Sequence, residues 1–142
     1  MEKRLNHLLA DLVVEYHKLQ NFHWYVKGKD FFTVHAKLEE YYDHINEAID
    51  EVAEHILMID GKPLASLKEF QAEASVKEAA SEFISVDDVY AAVIADFEYF
   101  LKEVKEIKKA ADEEENYIVS ALMDDYIMNF TKSLWMMKQM KK

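Results

Sequence analysis

Two histidines, His23 and His35, sit on either side of Gly28 in the stretch NFHWYVKGKDFFTVH, and the carboxylates Asp43, Glu47, Asp50 and Glu54 follow at steps of four, three and four. Two imidazole nitrogens with several carboxylate oxygens form a donor set suited to ferrous iron, with zinc or cobalt competing for the same ligands. Positions left open on a metal so held admit an oxidant or water. The chain has no cysteine, which removes disulfides, thiolate metal sites, iron–sulfur clusters and a cysteine nucleophile. It also shows no Gly-rich phosphate loop and no nucleophile–base arrangement.

The elements that must position these residues are helices. Leu5, Leu9, Leu12, Tyr16, Leu19, His23 and Val26 advance by alternating fours and threes, one stripe of an amphipathic helix that Gly28 ends. Asp30 stands where an N-cap would start a second helix with the stripe Leu38, Tyr42, Ile45, Ile49, Val52, Ile56 and Ile59, stopped by DGKP at 60–63. SLKEFQAEA reads as a short helix inside a long connection that ends at Ser85, an N-cap with Asp88 at the capping-box position. A third helix is expected from about Asp87 to Ala111, with Val89, Val93, Phe97, Phe100, Val104 and Ile107 inward. A fourth runs from about Glu114 to Met140, with Ile118, Leu122, Tyr126, Phe130, Leu134 and Met137 inward. Two hairpins joined by one long crossover form an all-α, ferritin-like four-helix bundle in a single domain spanning 1–142.

Such bundles hold metals in their cores through inward glutamates and Glu-x-x-His pairs. No Glu-x-x-His occurs in this chain, so a metal site must lie elsewhere. On the second helix Asp50 and Glu54 point far round from the apolar stripe and face outward. His35 precedes Asp50 by fifteen residues, about 22 Å along one rod at ~1.5 Å per residue. The two cannot hold one ion within a chain. A second copy packed antiparallel across a two-fold axis near Asp43 and His44 brings His35, and His23 with it, to Asp50 and Glu54 of the partner subunit. The alternative readings are a solvated acidic face and, for His23, a buried hydrogen-bonded core histidine. His7, His17, His44 and His55 read as surface histidines, His44 equally as a pH-sensitive dimer contact, and LWMMKQM around Trp135 reads as packing.

Composition sets the class. A chain of 142 residues, 51% hydrophobic, is long enough for one real core, and its two glycines and one proline favour long regular elements. The net charge of −11, from 28 acidic against 17 basic residues, repels phosphate backbones and collects cations. The basic end KQMKK reads as solvated terminal charge. Asp11 and Glu15 interrupt the first apolar run before a signal or membrane span could form, so a soluble cytoplasmic protein is expected.

The joined pattern His23-Trp24, Gly28, Phe31-Phe32, His35, Asp50-Glu51 and Ala53-Glu54 resembles the Dps proteins, dodecameric mini-ferritins of bacteria and archaea, and the likeness runs over essentially the whole chain. The resemblance implies an intersubunit ferroxidase centre, with His23 and His35 as iron ligands from one subunit and Asp50 and Glu54 from the two-fold mate. Glu39 falls where family members carry an acidic residue assisting the second iron position, and Trp24 matches a tryptophan beside the site. It further implies a hollow shell of twelve subunits that takes up Fe(II), oxidises it with hydrogen peroxide in preference to dioxygen, and stores Fe(III) mineral against oxidative damage. Two departures stand out: Tyr117 and Ala121 occupy positions that in relatives line an acidic three-fold pore, and the lysine-rich N-terminal tail of DNA-binding members has no counterpart. The run at Asp112 and Glu113 to Glu115 reads as negative charge at a helix N-terminus. The competing hypotheses are a DNA-binding, nucleoid-compacting protein with incidental metal binding and a non-catalytic structural bundle.

Overall fold

The computed structural model describes residues 1–140; the end of the basic run, Lys141 and Lys142, lies outside them. The described residues form α1 (Glu2–Tyr25), β1 (Val26–Lys27), α2 (Phe31–Met58), α3 (Leu67–Glu73), β2 (Ile84–Ser85), α4 (Val86–Glu113) and α5 (Tyr117–Gln139). The chain divides into two compact units, Glu2–Val89 and Tyr90–Lys142 with Met1. No helix among the described residues is long and apolar enough to cross a membrane.

In the first unit α1 and α2 form an antiparallel hairpin, with Tyr16 against Tyr42 and His23 against His35. The buried stripe of α2 is Val34, Leu38, Tyr41, Ile45, Ala48, Val52 and Ile56. Tyr41 and Ala48 thus take the places expected for Tyr42 and Ile49, which are half-buried at the edge. One residue is about 100° of helix rotation, and packing decides which of two neighbours faces inward. The α2 C-terminus closes with Asp60 in the left-handed region (φ 63°) and Gly61 N–H bonded to the Ile56 carbonyl at 2.8 Å. The aspartate therefore takes the left-handed position and the glycine follows it. Asp30 also precedes α2 in a left-handed conformation (φ 65°), and contrary to expectation its side chain makes no cap bond.

The connection after α2 is laid along α1 from end to end. Asn6 bonds the Lys62 carbonyl and the Leu64 amide; Asp11, fully buried, accepts from the Ser75 and Val76 amides at 2.7 and 2.9 Å; Asn21 donates to the Ala79 and Ala80 carbonyls. At the far end β1 pairs in parallel with β2, Val26 opposite Ile84, a small departure from an all-helical reading. The expected short helix is α3, closed by a full capping box between Ser66 and Glu69. His7 is no loose surface histidine: its ring lies between Asp11, Glu73 and Ser75. Ser85 caps α4 by accepting from the Asp88 amide, as its position predicts.

In the second unit α4 and α5 run antiparallel, with Phe130 stacked on Phe100 and edge-on to Phe97. The expected α4 stripe is buried throughout. On α5 Val119 takes the buried place expected for Ile118, which is exposed. The acidic run 113–115 closes α4 instead of opening α5: Glu115 is left-handed (φ 57°), and Asn116 caps α5 by accepting from the Val119 amide. Lys108 joins the two helices through Asp124 at 2.9 Å and Ser120 at 2.8 Å, and Ser120 in turn donates to Asp112. The bond to Asp124 raises the Lys108 pKa, with the charges of Asp112 and Asp124 adding to it.

Candidate metal centre

The turn between α1 and α2 is what pairs the imidazoles. Helix α1 stops at Tyr25, two extended residues follow, and Gly28 adopts φ 125°, a region open to glycine at little cost. The chain then reverses through Asp30 into α2. His23, in the last turn of α1, and His35, in the second turn of α2, face each other with ring centroids 3.6 Å apart and planes 11° from parallel. Each ring reaches the other residue's backbone: His23 Nδ1 bonds the His35 carbonyl at 2.6 Å, and His35 Nδ1 bonds the His23 carbonyl at 2.8 Å. A carbonyl only accepts, so both Nδ1 atoms carry hydrogen. In the neutral rings the lone pair is then left on Nε2. Tautomer and orientation are set in the manner that carbonyl partners impose on metal-bound histidines.

His23 is buried, 6% exposed, and so meets half of the core-histidine alternative through its Nδ1 bond. Its Nε2, however, lies 3.7 Å from Glu39 Oε1 on α2. Phe31 stacks on His35 at 4.9 Å, and Tyr42 stands edge-on to His23 at 5.4 Å. Trp24 is 59% exposed, and its ring meets His17. Sequence spacing singled out neither the reciprocal bonds nor the contact of Tyr42 with His23.

Asp43, Glu47, Asp50 and Glu54 are all exposed on α2, as the outward line requires. Within one chain the fold brings His23, His35 and Glu39 together and leaves Asp50 and Glu54 further along the same continuous helix.

A ferritin-like domain model matches residues 2–142. The chain is 35% identical over 134 residues to a DNA protection during starvation protein of Helicobacter pylori, covering 94% of this chain and 93% of the relative. It is 40% identical over 134 residues to DNA protection during starvation protein 2 of Bacillus anthracis, covering 94% and 91%. The crystal structure of a Dps protein from Bacillus brevis superposes with a TM-score of 0.95 at 36% identity, over 99% of this chain and 94% of the other. This chain belongs to the Dps family of ferritin-like proteins. A Dps from Vibrio cholerae O1, described as a member of a broad superfamily of ferritin-like diiron-carboxylate proteins, is similar at TM-score 0.94 and 34% identity, over 99% and 88%. The fold is accordingly the all-α ferritin-like four-helix bundle of Dps proteins, with α3 as the short helix in the crossover between the second and third bundle helices.

Proposed function

We propose that this protein is an iron-oxidising and iron-storing Dps mini-ferritin of the cytoplasm, one ferritin-like domain per chain, assembled as a dodecamer. Iron is its substrate and cargo. Each ferroxidase centre takes His23 and His35 from one protomer and Asp50 and Glu54 of the partner subunit, with Glu39 assisting at the second iron position and Trp24 beside the site. The observation that carries this reading is the reciprocal pair of Nδ1–carbonyl bonds, which presents two Nε2 lone pairs from one edge of the chain. The partner's carboxylates supply the negative charge that draws in Fe(II) and stabilises Fe(III).

Hydrogen peroxide is the preferred oxidant and dioxygen a slower one. Two ferrous ions each give one electron to one peroxide, whose O–O bond breaks as two protons convert both oxygens to water. Hydroxyl radical is not released, and this is the protective chemistry. Zinc or cobalt competes for the same donors. A relative from Listeria innocua has been studied as crystals soaked with zinc, at TM-score 0.94 and 33% identity. The relatives' names invoke DNA protection, but a charge of −11 per chain disfavours direct binding to duplex DNA as the main activity.

The shared site has a direct test. His35→Ala and Asp50→Ala proteins are each expected to oxidise Fe(II) slowly. Dissociated, mixed and reassembled, they regain part of the rate, because a dimer of the two variants holds one site with both defects and one with neither. Reassembly with demonstrated subunit exchange and no recovery would sink the shared-site model.

A further inference from the structure

His7 precedes His23 on α1 by sixteen residues, about 24 Å along the helix, and stands in a second group of metal-ligating side chains that the proposed ferroxidase centre does not use. His7 and Asp11 are one turn apart, with His7 Nε2 3.2 Å from Asp11 Oδ2. On the other side of the ring, Nδ1 donates at 2.9 Å to Oε2 of Glu73, the last residue of α3. Ser75 Oγ lies 3.2 Å from His7 Nε2. Asp11 is fully buried, and its other oxygen, Oδ1, is fixed by the Ser75 and Val76 amides. Oδ2 is thereby aimed at Nε2, while Ser75 is exposed and leaves one side open to solvent.

We propose that His7 Nε2, Asp11 Oδ2 and Ser75 Oγ hold a divalent cation of the zinc type, with water completing its shell and Glu73 positioning the His7 ring. This inference does not depend on the iron-oxidising reading. Zinc sits about 2.1 Å from an imidazole nitrogen or a carboxylate oxygen, so two such donors 3.2 Å apart subtend about 100° at the ion, near the tetrahedral angle. The two ligands therefore need little rearrangement to receive it. A carboxylate on Nδ1 is the partner that orients metal-bound histidines and makes the other nitrogen a stronger donor. Charge points the same way. Two carboxylates flank one ring, so a protonated imidazole balances only one of them, with Asp11 held out of water. A divalent ion with a neutral ring balances both. The cation replaces the Nε2 proton, which leaves to solvent, and it joins α1 to the crossover where Asp11 already receives the two amides. Calcium and magnesium favour all-oxygen shells and match this nitrogen-containing set poorly.

The test uses the assembled protein, stripped of metal and titrated with zinc against a chromophoric chelator. The same titration is run on a His23→Ala/His35→Ala protein, which lacks the nitrogen donors of the proposed iron site, and His7→Gln is introduced into both. The His23→Ala/His35→Ala protein is expected to keep one zinc per chain, with an imidazole in its X-ray absorption spectrum, and zinc slows amide exchange at Ser75 and Val76. Adding His7→Gln removes that zinc and the slowing. Glu73→Gln weakens binding by at least about tenfold while the imidazole stays on the metal. Asp11→Asn, which keeps an oxygen for the two amides, also loses the zinc; should it fail to fold, His7→Gln on the part-exposed ring decides alone. Zinc bound in equal number with and without His7→Gln, bound zinc without an imidazole, or no zinc in the His23→Ala/His35→Ala protein each overturns this inference and leaves the ferroxidase reading standing. If His23→Ala/His35→Ala does not assemble, the loss of one zinc per chain on His7→Gln in the otherwise unsubstituted protein decides.

Discussion

His23 and His35 hold each other in place through two hydrogen bonds and a stacked contact, so neither ring can be altered without loosening the other. That coupling separates them from His55 and His7, which serve local structure: His55 Nδ1 donates to the Glu51 carbonyl one turn back, and His7 helps to tie the crossover to α1. Replacing both site histidines by alanine is expected to remove most rapid peroxide-dependent Fe(II) oxidation while the helices persist, since carboxylates alone lack the nitrogen donors that capture the ion. Each lost Nδ1–carbonyl bond costs about 1 kcal/mol of stability, and more where a carbonyl stays buried without a partner. Stopped-flow oxidation, measured beside a sizing profile and a urea titration of the same sample, checks both parts. An intact assembly oxidising iron at the unsubstituted rate would make these histidines structural.

Among the elements, the helix ends carry the exposed weak points. Helix α4 ends in a Schellman arrangement, with the Asn116 amide bonded to the Ala111 carbonyl at 2.8 Å and Glu115 at the left-handed position that glycine usually fills. Glu115→Gly is expected to stabilise the protein by about 1 kcal/mol, the cost of a left-handed side chain, seen as a higher urea midpoint at unchanged slope. Helix α3 depends on its capping box. Hydrogen bonds from the Ser66 side chain first, then from the Ala65 and Ser66 amides, lower the Glu69 pKa from 4.5. A depressed carboxyl contributes stability that is present above 4.5 and is lost as the pH falls through the folded value. Amide exchange across α3 should therefore accelerate in that acid range, and Ser66→Ala should remove much of the dependence while costing about 1 kcal/mol at neutral pH.

At the scale of the whole molecule, net charge decides which partners are reachable. At −11 per chain an assembly of many copies attracts cations and repels nucleic acid. In a chelator, at near-neutral pH and physiological salt, the assembled protein is expected not to retard duplex DNA on a gel. A salt-sensitive shift would show that local basic charge outweighs the net balance. The carboxylates divide by burial: the line from Asp43 to Glu54 stays exposed on α2, where the proposed centre takes its acids, while Asp11 is fully buried and serves the fold.

What the sequence by itself determined is local or periodic in origin. The helices, the α3 capping box, the cap at Ser85, the inward stripe of α4 and the outward acids of α2 follow from propensities and spacings within a few turns, which each segment expresses largely alone. Joined with the family pattern, the same spacing was enough to nominate His23, His35, Asp50, Glu54 and Glu39 as the candidate set. The inward face was legible only to within one residue, since Tyr41 and Tyr42 differ by about 100° of rotation and both are aromatic. Only the tertiary structure decided that Tyr41 goes in while Tyr42 meets His23, that the two imidazoles bond each other's carbonyls, that Asp11 receives the Ser75 and Val76 amides, and that Val26 pairs with Ile84. Each of these joins residues far apart along the chain. Their partners are chosen by the path of the turns and the packing of one helix on another, and no local window of sequence contains that choice.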